Sequence, residues 1–510
     1  MVVVTGTLAR SPPRRGSVGW ARAHESYGGG VRHAYEVGAV RTAEESVTAG
    51  LTDPDALMRR AAWGLAGVVT AELRAGGGGA VTGARVVLLV GAGGNGGDAL
   101  WAGAFLRGRG VAVTAVLLVP DRAHPTGLAA LRRAGGRVVG ADGAAAALAT
   151  ADLVVDGIVG LSGRGGLREG PAAVAALVRA PVVAVDLPSG VDADTGEVGE
   201  PALRADVTVA LGELKNVHLL APLWCGRVEL VDLGLPLAES RVRSWEPADV
   251  AAAWPVPGPE DDKYSQGVVG VAAGSATYPG AAVLCSGAAT AATSGMVRYA
   301  GTAKDAVLAR WPEVVATEHV EDAGRVQAWV VGPGTGTGED GHALVARVLD
   351  AGVPCLLDAD ATTVLAADPS LLEGHEHPVL LTPHAGEFAR LTGSEPGADR
   401  LRAVRDAAAR LGATVLLKGR TTVVADPDGE VVVNDAGSSW SSTAGSGDLL
   451  SGVLGALLAA GLTPLDAAAA GTHVHTLAAA LAARGAPVSA STVLAHLRPA
   501  VRLDRTGSAA

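Results

Sequence analysis

Five consecutive apolar residues, Val86–Val90, run into Gly91, Gly93 and Gly96. A strand with one face in water alternates apolar and polar residues, whereas an unbroken apolar run is buried on both faces. Further short β-branched runs lie at 111–119, 152–155, 181–185 and 206–210, separated by Ala-rich segments of helical length. Strands alternating with helices in this way specify a doubly wound, mostly parallel α/β sheet. Ahead of them, 40–47 and 55–75 read as helices, the second opened by Asp53-Pro54. The alternation stops over 234–267, where Pro255, Pro257, Gly258 and Pro259 cluster. A second series follows at 268–272, 328–331, 354–357, 379–381, 414–417, 422–425 and 430–433, and closes with long Ala-rich helices from Gly447 onward. No repeat relates the two series. Two unrelated α/β domains are therefore expected, at 31–240 and 263–505, with 241–262 as a linker.

Composition narrows the function. A chain of 510 residues is too long for one core, and 48% hydrophobic against 18% charged residues allows large ones. The net charge of −11 argues against a nucleic-acid binder, which would carry a basic stripe. Cys225, Cys285 and Cys355 are odd in number and widely spaced, which argues against a zinc site or disulfide framework and for a reducing cytoplasm. The longest apolar candidate, 449–462, is too short to cross a bilayer and reads as a buried helix. Residues 1–30 carry Pro12-Pro13 and four arginines without a signal-peptide core, and are expected to be a disordered extension. The expected partners are small molecules and a second copy of the chain, with no membrane and no nucleic acid.

The first glycine turn has the spacing G-x-G-x-x-G of a dinucleotide fingerprint. Its interior, Gly93-Gly94-Asn95-Gly96-Gly97-Asp98, puts a carboxylate near the start of the next helix. A bare pyrophosphate wants that positive helix end for itself, so the loop suits polar or hydroxyl groups better. Asp156 and Asp186 each follow an apolar strand and precede a glycine turn, so both are expected to face the crevice at the strand ends. One such Asp is as often a turn-former. Together with Asp98, Asn95 and Ser189, they form a set of hard oxygens suited to a cation such as potassium and a polyhydroxylated substrate.

The strings N-G-G-D at 95–98, D-G-I-V-G at 156–160 and D-L-P-S-G at 186–190, with "VRTAEE" and "LMRRAA" ahead of them, resemble the NAD(P)H-hydrate epimerase domain over about 35–240. That resemblance implies a Rossmann-like sheet and potassium on Asn95, Asp156 and Ser189. It implies contacts to the hydrated nicotinamide nucleotide from Gly94, Asn95, Gly96, Gly97 and Asp98, from Gly160, Leu161, Ser162, Gly163, Arg164, Gly165 and Gly166, and from Asp186. Asp156 and Asp186 are the acid/base candidates. Lys215, in "LGELKN", matches a family lysine without an assigned role. The chain departs from the family pattern at Gly94, usually Asn, and at Ala99, usually Gly.

In the second half, "NDAGSSWSSTAGSGDLLSG" leads through Gly445-Ser446-Gly447-Asp448 into a long apolar helix. Backbone N–H groups at such a start stabilise a transferring phosphoryl group, and the Asp can accept a proton from an attacking hydroxyl. "VVGPGTG" at 330–336 permits close backbone approach to a ligand, and Asp358, Asp360, His384 and Glu387 follow strands. The string T-P-H-A-G-E at 382–387, with Gly445–Asp448 and Lys418-Gly419, resembles the ribokinase-like, ADP-dependent NAD(P)H-hydrate dehydratase over about 260–505, with mild departures at Ala385 and Ala444. By that resemblance Ala281, Gly334, His384 and Asp448 contact the hydrate, Asp448 also acting in catalysis. Lys418, Gly419, Arg420, Thr421, Thr422 and Gly447 contact the adenine nucleotide, with Mg²⁺ accompanying ADP. His473 and His475, two apart on one helix, read as structural.

The implied activity is nicotinamide nucleotide repair: R and S hydrates are interconverted by the first domain, and the S form is dehydrated by the second, with ADP giving AMP and phosphate. One rival is a sugar or vitamin kinase with a regulatory Rossmann-like domain. It accounts for Gly445–Asp448 but not for T-P-H-A-G-E or the first domain. A second rival makes the first domain a scaffold, against which Asn95, Asp98, Asp156, Asp186 and Ser189 stand together.

Overall fold

The structure, a computed structural model, describes residues 31–506 apart from 77–78, 162 and 294; the expected extension at 1–30 lies outside the described residues. Its strands are β1 (Arg32–Tyr35), β2 (Arg85–Val90), β3 (Ala112–Leu117), β4 (Arg137–Gly140), β5 (Leu153–Gly157), β6 (Val182–Val185), β7 (Val207–Gly212), β8 (Leu214–Lys215) and β9 (Arg227–Asp232). Seven of these form a parallel sheet in the order β4-β3-β2-β5-β6-β7-β9. Val86, Leu88 and Val90 enter one core with helices Val37–Ala49, Ala56–Ala75 and Gly94–Gly108, while Val87 and Leu89 enter the core on the other face. The unbroken apolar run is thus explained by two covered faces. Strand order reverses between β2 and β5, which places a crevice at their carboxyl ends. The expected start of the second helix at Asp53-Pro54 lies early: Asp55 is the N-cap, and Asp53 Oδ1 accepts the Asp55 N–H in the preceding turn.

The second domain contributes β10 (Val242–Ser244), β11 (Val268–Ala272), β12 (Met296–Ala300), β13 (Val315–Thr317), β14 (Ala328–Val331), β15 (Cys355–Leu357), β16 (Val379–Leu381), β17 (Thr414–Leu417), β18 (Thr421–Ala425) and β19 (Val431–Asp435). The sheet order is β13-β12-β11-β14-β15-β16-β17-β18-β19-β10-β1-β8. Here too the residues alternate between two cores, Val269, Val271 and Val330 on one side and Val268, Trp329 and Val331 on the other.

The division of the chain differs from the sequence expectation in one respect. The segment 241–262 carries β10 and helix Pro247–Ala253, and Val250 and Trp254 are buried in the second domain's core. β10 joins β19 to β1, and β1 joins β8, so the second domain's sheet ends in strands from the first 215 residues. Ala34, Ala210, Leu214 and Val242 share a core with Trp329 and Leu357. Strands of two to four residues have no readable period, and the Pro-rich stretch after them masks the pairing.

Helix Ser446–Ala459 lies tight on the second sheet and on helix Pro279–Ala292 because it carries glycines where it touches them. A Cβ on Gly455 would stand 2.1 Å from Val330 Cγ2, and one on Gly452 2.2 Å from the Cys285 carbonyl oxygen. Gly455→Leu gains about 1 kcal/mol of helix propensity but overpacks a buried strand at a cost of about 3 kcal/mol. A net loss of stability is therefore expected, read as a lower urea midpoint with an unchanged m-value.

Candidate active sites

The first crevice is a cavity of about 320 Å³ lined by helix Val37–Ala49 through Arg41, Glu44 and Thr48, by the start of helix Gly94–Gly108, and by Gly160, Leu161, Asp186 and Leu211. Gly93 is the N-cap of the second of these helices, which puts Asp98 at its fifth residue, beyond the turn that holds capping groups. Asp98 is therefore no cap and no competitor for an anion at the helix end. It lines the cavity, buried, and its carboxyl group makes no hydrogen bond among the described residues. Burial, reinforced by the nearby Asp186 and Glu44 carboxylates, pushes its carboxyl well above the usual range despite the Lys215 ammonium.

Asp186 follows β6 directly with φ of 67°, left-handed backbone that Asp tolerates better than most residues. Its Oδ1 accepts from Lys215 Nζ at 2.6 Å and from the Leu211 N–H at 3.0 Å. His218 Nδ1 accepts the Lys215 N–H at 2.9 Å, so its Nε2–H donates to the Asp186 carbonyl oxygen at 2.7 Å. Burial and the Lys215 ammonium keep this imidazole neutral, its pKa lowered to about 4.

Asp156 is fully buried, contrary to the expectation that it faces the crevice. It accepts from the Ser189 hydroxyl at 2.7 Å, the Ser189 N–H at 2.8 Å and the Ile158 N–H at 3.2 Å. Burial raises its pKa against these hydrogen bonds. Ser189 Oγ also accepts the Val159 N–H at 3.0 Å, and Asn95 Nδ2 lies 3.5 Å from the Val159 carbonyl oxygen. Asn95, Asp156 and Ser189, far apart in sequence, thus meet around Val159.

The other expected contacts divide. Gly94, Asn95, Asp98, Gly160, Leu161 and Asp186 line the cavity. Gly96 and Gly97 do not: a Cβ on Gly96 would stand 2.5 Å from the Gly91 carbonyl oxygen and one on Gly97 2.7 Å from Met58 Sδ, so they allow helix packing. Gly163, Arg164, Gly165 and Gly166 run on from the cavity, and Gly166 packs against the backbone of Glu200. Ser162 lies outside the described residues. Neither departure deforms the site. A Cβ on Gly94 meets nothing within 4 Å, and Ala99 is buried against Gly157. Sequence reasoning assigned no role to Lys215, His218, Arg41 or Glu44. A lysine in the apolar stretch 207–220 was the available signal for Lys215.

The second site forms where β15, β17 and helix Ser446–Ala459 converge. Lys418 Nζ donates to Asp358 Oδ1 at 2.6 Å and lies 3.8 Å from Glu387 Oε2, while Ser451 Oγ donates to Asp358 Oδ2 at 2.7 Å. Burial alone would lower the Lys418 pKa, but Asp358, Glu387 and Asp448 together hold it above its usual value. Gly445, with φ of 81°, caps the helix and is followed by Ser446, Gly447 and Asp448 in its first turn. A Cβ on Gly447 would sit 3.8 Å from both Asp358 Oδ2 and Lys418 Nζ, so this helix start faces the ammonium directly. Asp448 is half-buried; burial and the Asp358 carboxylate push its carboxyl up to about 6 against the pull of Lys418.

His384 caps helix Ala385–Thr392: its Nδ1 accepts the Gly386 and Glu387 N–H groups at 3.0 and 3.3 Å, and Glu387 Oε2 accepts the His384 N–H at 2.8 Å. Glu387 thereby joins the His384 turn to Lys418. Ala281 and Gly334 are adjacent, since a Cβ on Gly334 would stand 3.1 Å from Ala281 Cβ. Gly419 and Arg420 form the turn between β17 and β18, and Arg420 Nη2 donates to the Gly437 carbonyl oxygen at 3.1 Å. Thr421 and Thr422 start β18 with buried side chains, the Thr422 hydroxyl bonded to the Gly419 carbonyl at 3.1 Å. His475 supports this site from behind, its Nε2 3.0 Å from Ser446 Oγ, while His473 pairs with Asp504.

Residues 54–217 match a family described as YjeF-related protein N-terminus, and residues 269–498 match NAD(P)H-hydrate dehydratase. The bifunctional NAD(P)H-hydrate repair enzyme Nnr of Mycobacterium leprae (strain TN) is 57% identical over 479 residues, covering 92% of this chain and 99% of that one. The enzyme of the same name from Mycobacterium tuberculosis (strain ATCC 25618 / H37Rv) is 58% identical over 479 residues, with the same 92% and 99% coverage. The ADP-dependent (S)-NAD(P)H-hydrate dehydratase of Neisseria meningitidis serogroup B is 40% identical over 257 residues, covering 48% of this chain and 86% of that one. A solved ADP/ATP-dependent NAD(P)H-hydrate dehydratase from Bacillus subtilis is 26% identical with a TM-score of 0.46, over 51% of this chain and 98% of that one.

A carboxyl that accepts a proton works only when ionised. Any reaction served by Asp448 should therefore lose kcat/KM as pH falls through about 6, with a plateau above. Lys418→Met should move that limb to higher pH, because the ammonium favours the ionised carboxylate. Asp448→Asn should lower the rate by about 10²–10⁴-fold and abolish the limb, measured as a pH–rate profile.

Proposed function

The chain belongs to the family of bifunctional NAD(P)H-hydrate repair enzymes, and from that premise we propose how its two sites divide the work. The first domain interconverts the R and S hydrates of NAD(P)H, and the second dehydrates the S hydrate with ADP. The observation that carries the assignment of residues is that each site sets one lysine-paired aspartate beside a second carboxyl of raised pKa: Asp186 with Asp98, and Asp358 with Asp448.

In the second site the hydroxyl on the hydrated ring is the nucleophile. Asp448 takes its proton as the oxygen attacks the β-phosphorus of ADP, and AMP leaves. Hydroxide is a poor leaving group and phosphate a good one. The ring nitrogen lone pair then expels phosphate and a ring proton is lost, restoring the dihydronicotinamide. The N–H groups of Ser446, Gly447 and Asp448 and the Lys418 ammonium face the charge that develops on phosphate. Among the described residues no cluster of three His, Cys, Asp or Glu side chains could hold a metal, and Asp358 is already paired with Lys418, which also lies 3.8 Å from Glu387. Mg²⁺ is therefore assigned to the nucleotide's phosphates as part of the substrate, and no step is derived through it.

In the first site Asp98 is the acid. It gives its proton to the departing hydroxyl, the ring nitrogen stabilises the resulting cation, and Asp186, held from behind by Lys215, faces it across the cavity. Water adds to the opposite face, and the proton it releases passes through water in the cavity to the Asp98 carboxylate, restoring the acid. Of the two acid/base candidates read from the sequence, Asp156 is buried behind the cavity and Asp186 is paired with Lys215, so the acid role falls to Asp98. Asn95, Asp156 and Ser189 offer an amide, a carboxylate and a hydroxyl around one backbone segment, hard donors that fit potassium. Bound there, the ion would supply positive charge behind the loop that carries Gly160 and Leu161.

No described helix is long and apolar enough to cross a membrane. We propose a cytoplasmic location, which three free and buried cysteines support, and a homo-oligomeric state.

The test is recovery of NADH absorbance from a mixture of R and S NADHX with Mg²⁺, potassium and ADP. Complete recovery is expected. A stop at the S fraction would overturn the epimerase assignment, and no recovery with ADP or ATP would overturn both. Replacing potassium by tetramethylammonium should slow conversion of the R form while leaving dehydration of pure S hydrate unchanged.

A further inference from the structure

One wall of the first cavity, and the lysine behind another, are tied to strands outside the first domain's own sheet. Helix Val37–Ala49, which brings Arg41, Glu44 and Thr48 to the cavity, follows β1 after a single residue, Glu36. Its first N–H, at Val37, is held by Asp194 Oδ1 at 2.7 Å. Lys215, which holds Asp186, is the last residue of β8. Neither β1 nor β8 belongs to the seven-stranded sheet.

The two strands pair with each other, Ala34 opposite Leu214 and Tyr35 opposite Lys215. On its other edge β1 pairs with β10, Arg32 opposite Ser244 and Ala34 opposite Val242. β10 continues to β19 through Val242 opposite Val431 and Arg243 opposite Val432. Beyond its last residues β19 leads into the chain that reaches Gly445 and Asp448. One hydrogen-bonded ladder thus runs from β19, the strand that leads into the second site's glycine loop, to the lysine of the first.

Lys215 has no exposed surface, so it acts through Asp186 and not on substrate. Its ammonium is spent on Asp186 Oδ1 and the Leu211 carbonyl oxygen, each at 2.6 Å. Its backbone N–H is bonded to His218, whose other nitrogen grips the Asp186 carbonyl. Side chain and main chain of one residue therefore hold both ends of an aspartate whose backbone is left-handed. A shift of β8 would be passed to Asp186 by both routes.

We propose that Lys215 is the positioning residue of the first site and that the second domain's sheet sets it in place, through the ladder β19–β10–β1–β8. The epimerase site is then complete only against a folded second domain. This rests on the reading of the first cavity as the epimerase site.

The test uses the full chain, with epimerisation and dehydration of pure S hydrate measured on the same preparation. Lys215→Met should lower kcat for epimerisation by about 100-fold with little change in KM, the cost of a misplaced catalytic group. Lys215→Arg should restore part of it, and dehydration should stay at the wild-type rate in both. Val242→Pro, which breaks the ladder at β10, should lower epimerisation by at least about tenfold while dehydration persists. If Val242→Pro does not fold, Ser240→Ala replaces it, since the Ser240 hydroxyl bonds the Ala34 carbonyl and accepts the Val242 N–H. Wild-type epimerisation by Lys215→Met would overturn the positioning role, and wild-type epimerisation by a folded ladder variant would overturn its dependence on the second sheet. A wild-type chain that does not epimerise at all would instead overturn the reading of the first cavity.

Discussion

Both sites depend on the same interaction, a lysine ammonium pressed against a strand-end aspartate in the protein interior. Lys215 and Asp186 are 2.6 Å apart, as are Lys418 and Asp358. Removing two charges from water costs several kcal/mol per ion, and an apolar pair of the same volume is often as stable or more so. Stability alone gives no reason for these pairs. Their effect is to fix charge at the carboxyl ends of the strands, where an open α/β sheet receives its ligand.

The pairs also set the protonation of their neighbours. Asp98 has no cation of its own, and Asp186 and Glu44 disfavour its ionised form. Asp448 is similarly raised by burial and Asp358, but it is only half-buried and Lys418 pulls the other way, so it stays within reach of neutral pH. The difference matches the chemistry. A departing hydroxyl needs a group that still carries a proton, and an attacking hydroxyl needs one that has lost it.

What the sequence revealed follows the range over which each arrangement is encoded. Gly445–Asp448 and the capping box of His384 and Glu387 are local, and they stand in the structure as contiguous units. Unbroken apolar runs located the inner strands of both sheets. By contrast Lys215 reaches Asp186 across 29 residues and Lys418 reaches Asp358 across 60, and no local pattern records such a meeting. The glycines mislead for a different reason. Gly94 faces open space in the cavity, whereas Gly96 and Gly97 are small only because Gly91 and Met58 lie against the helix. A glycine needed for packing and one needed for a ligand are written identically. β1, β8 and β10 escaped notice because two to four residues carry no period, yet they join the domains.

That junction bears on how two activities of opposite thermodynamic character work in one chain. Interconversion of two epimers at one carbon is close to balanced and has no direction of its own. Dehydration coupled to cleavage of a phosphoanhydride runs one way and removes only the S form. Direction in the first reaction therefore comes entirely from consumption in the second, and an epimerase site without a dehydratase beside it would restore equilibrium but repair nothing. A shared sheet ensures that the second site's glycine loop and the first site's Lys215 are built in one structure, with Val431 and Val242 paired at their meeting point. On the proposal above, the epimerase site is complete only with the dehydratase sheet in place, so the reaction that takes its direction from the other depends on it for structure as well.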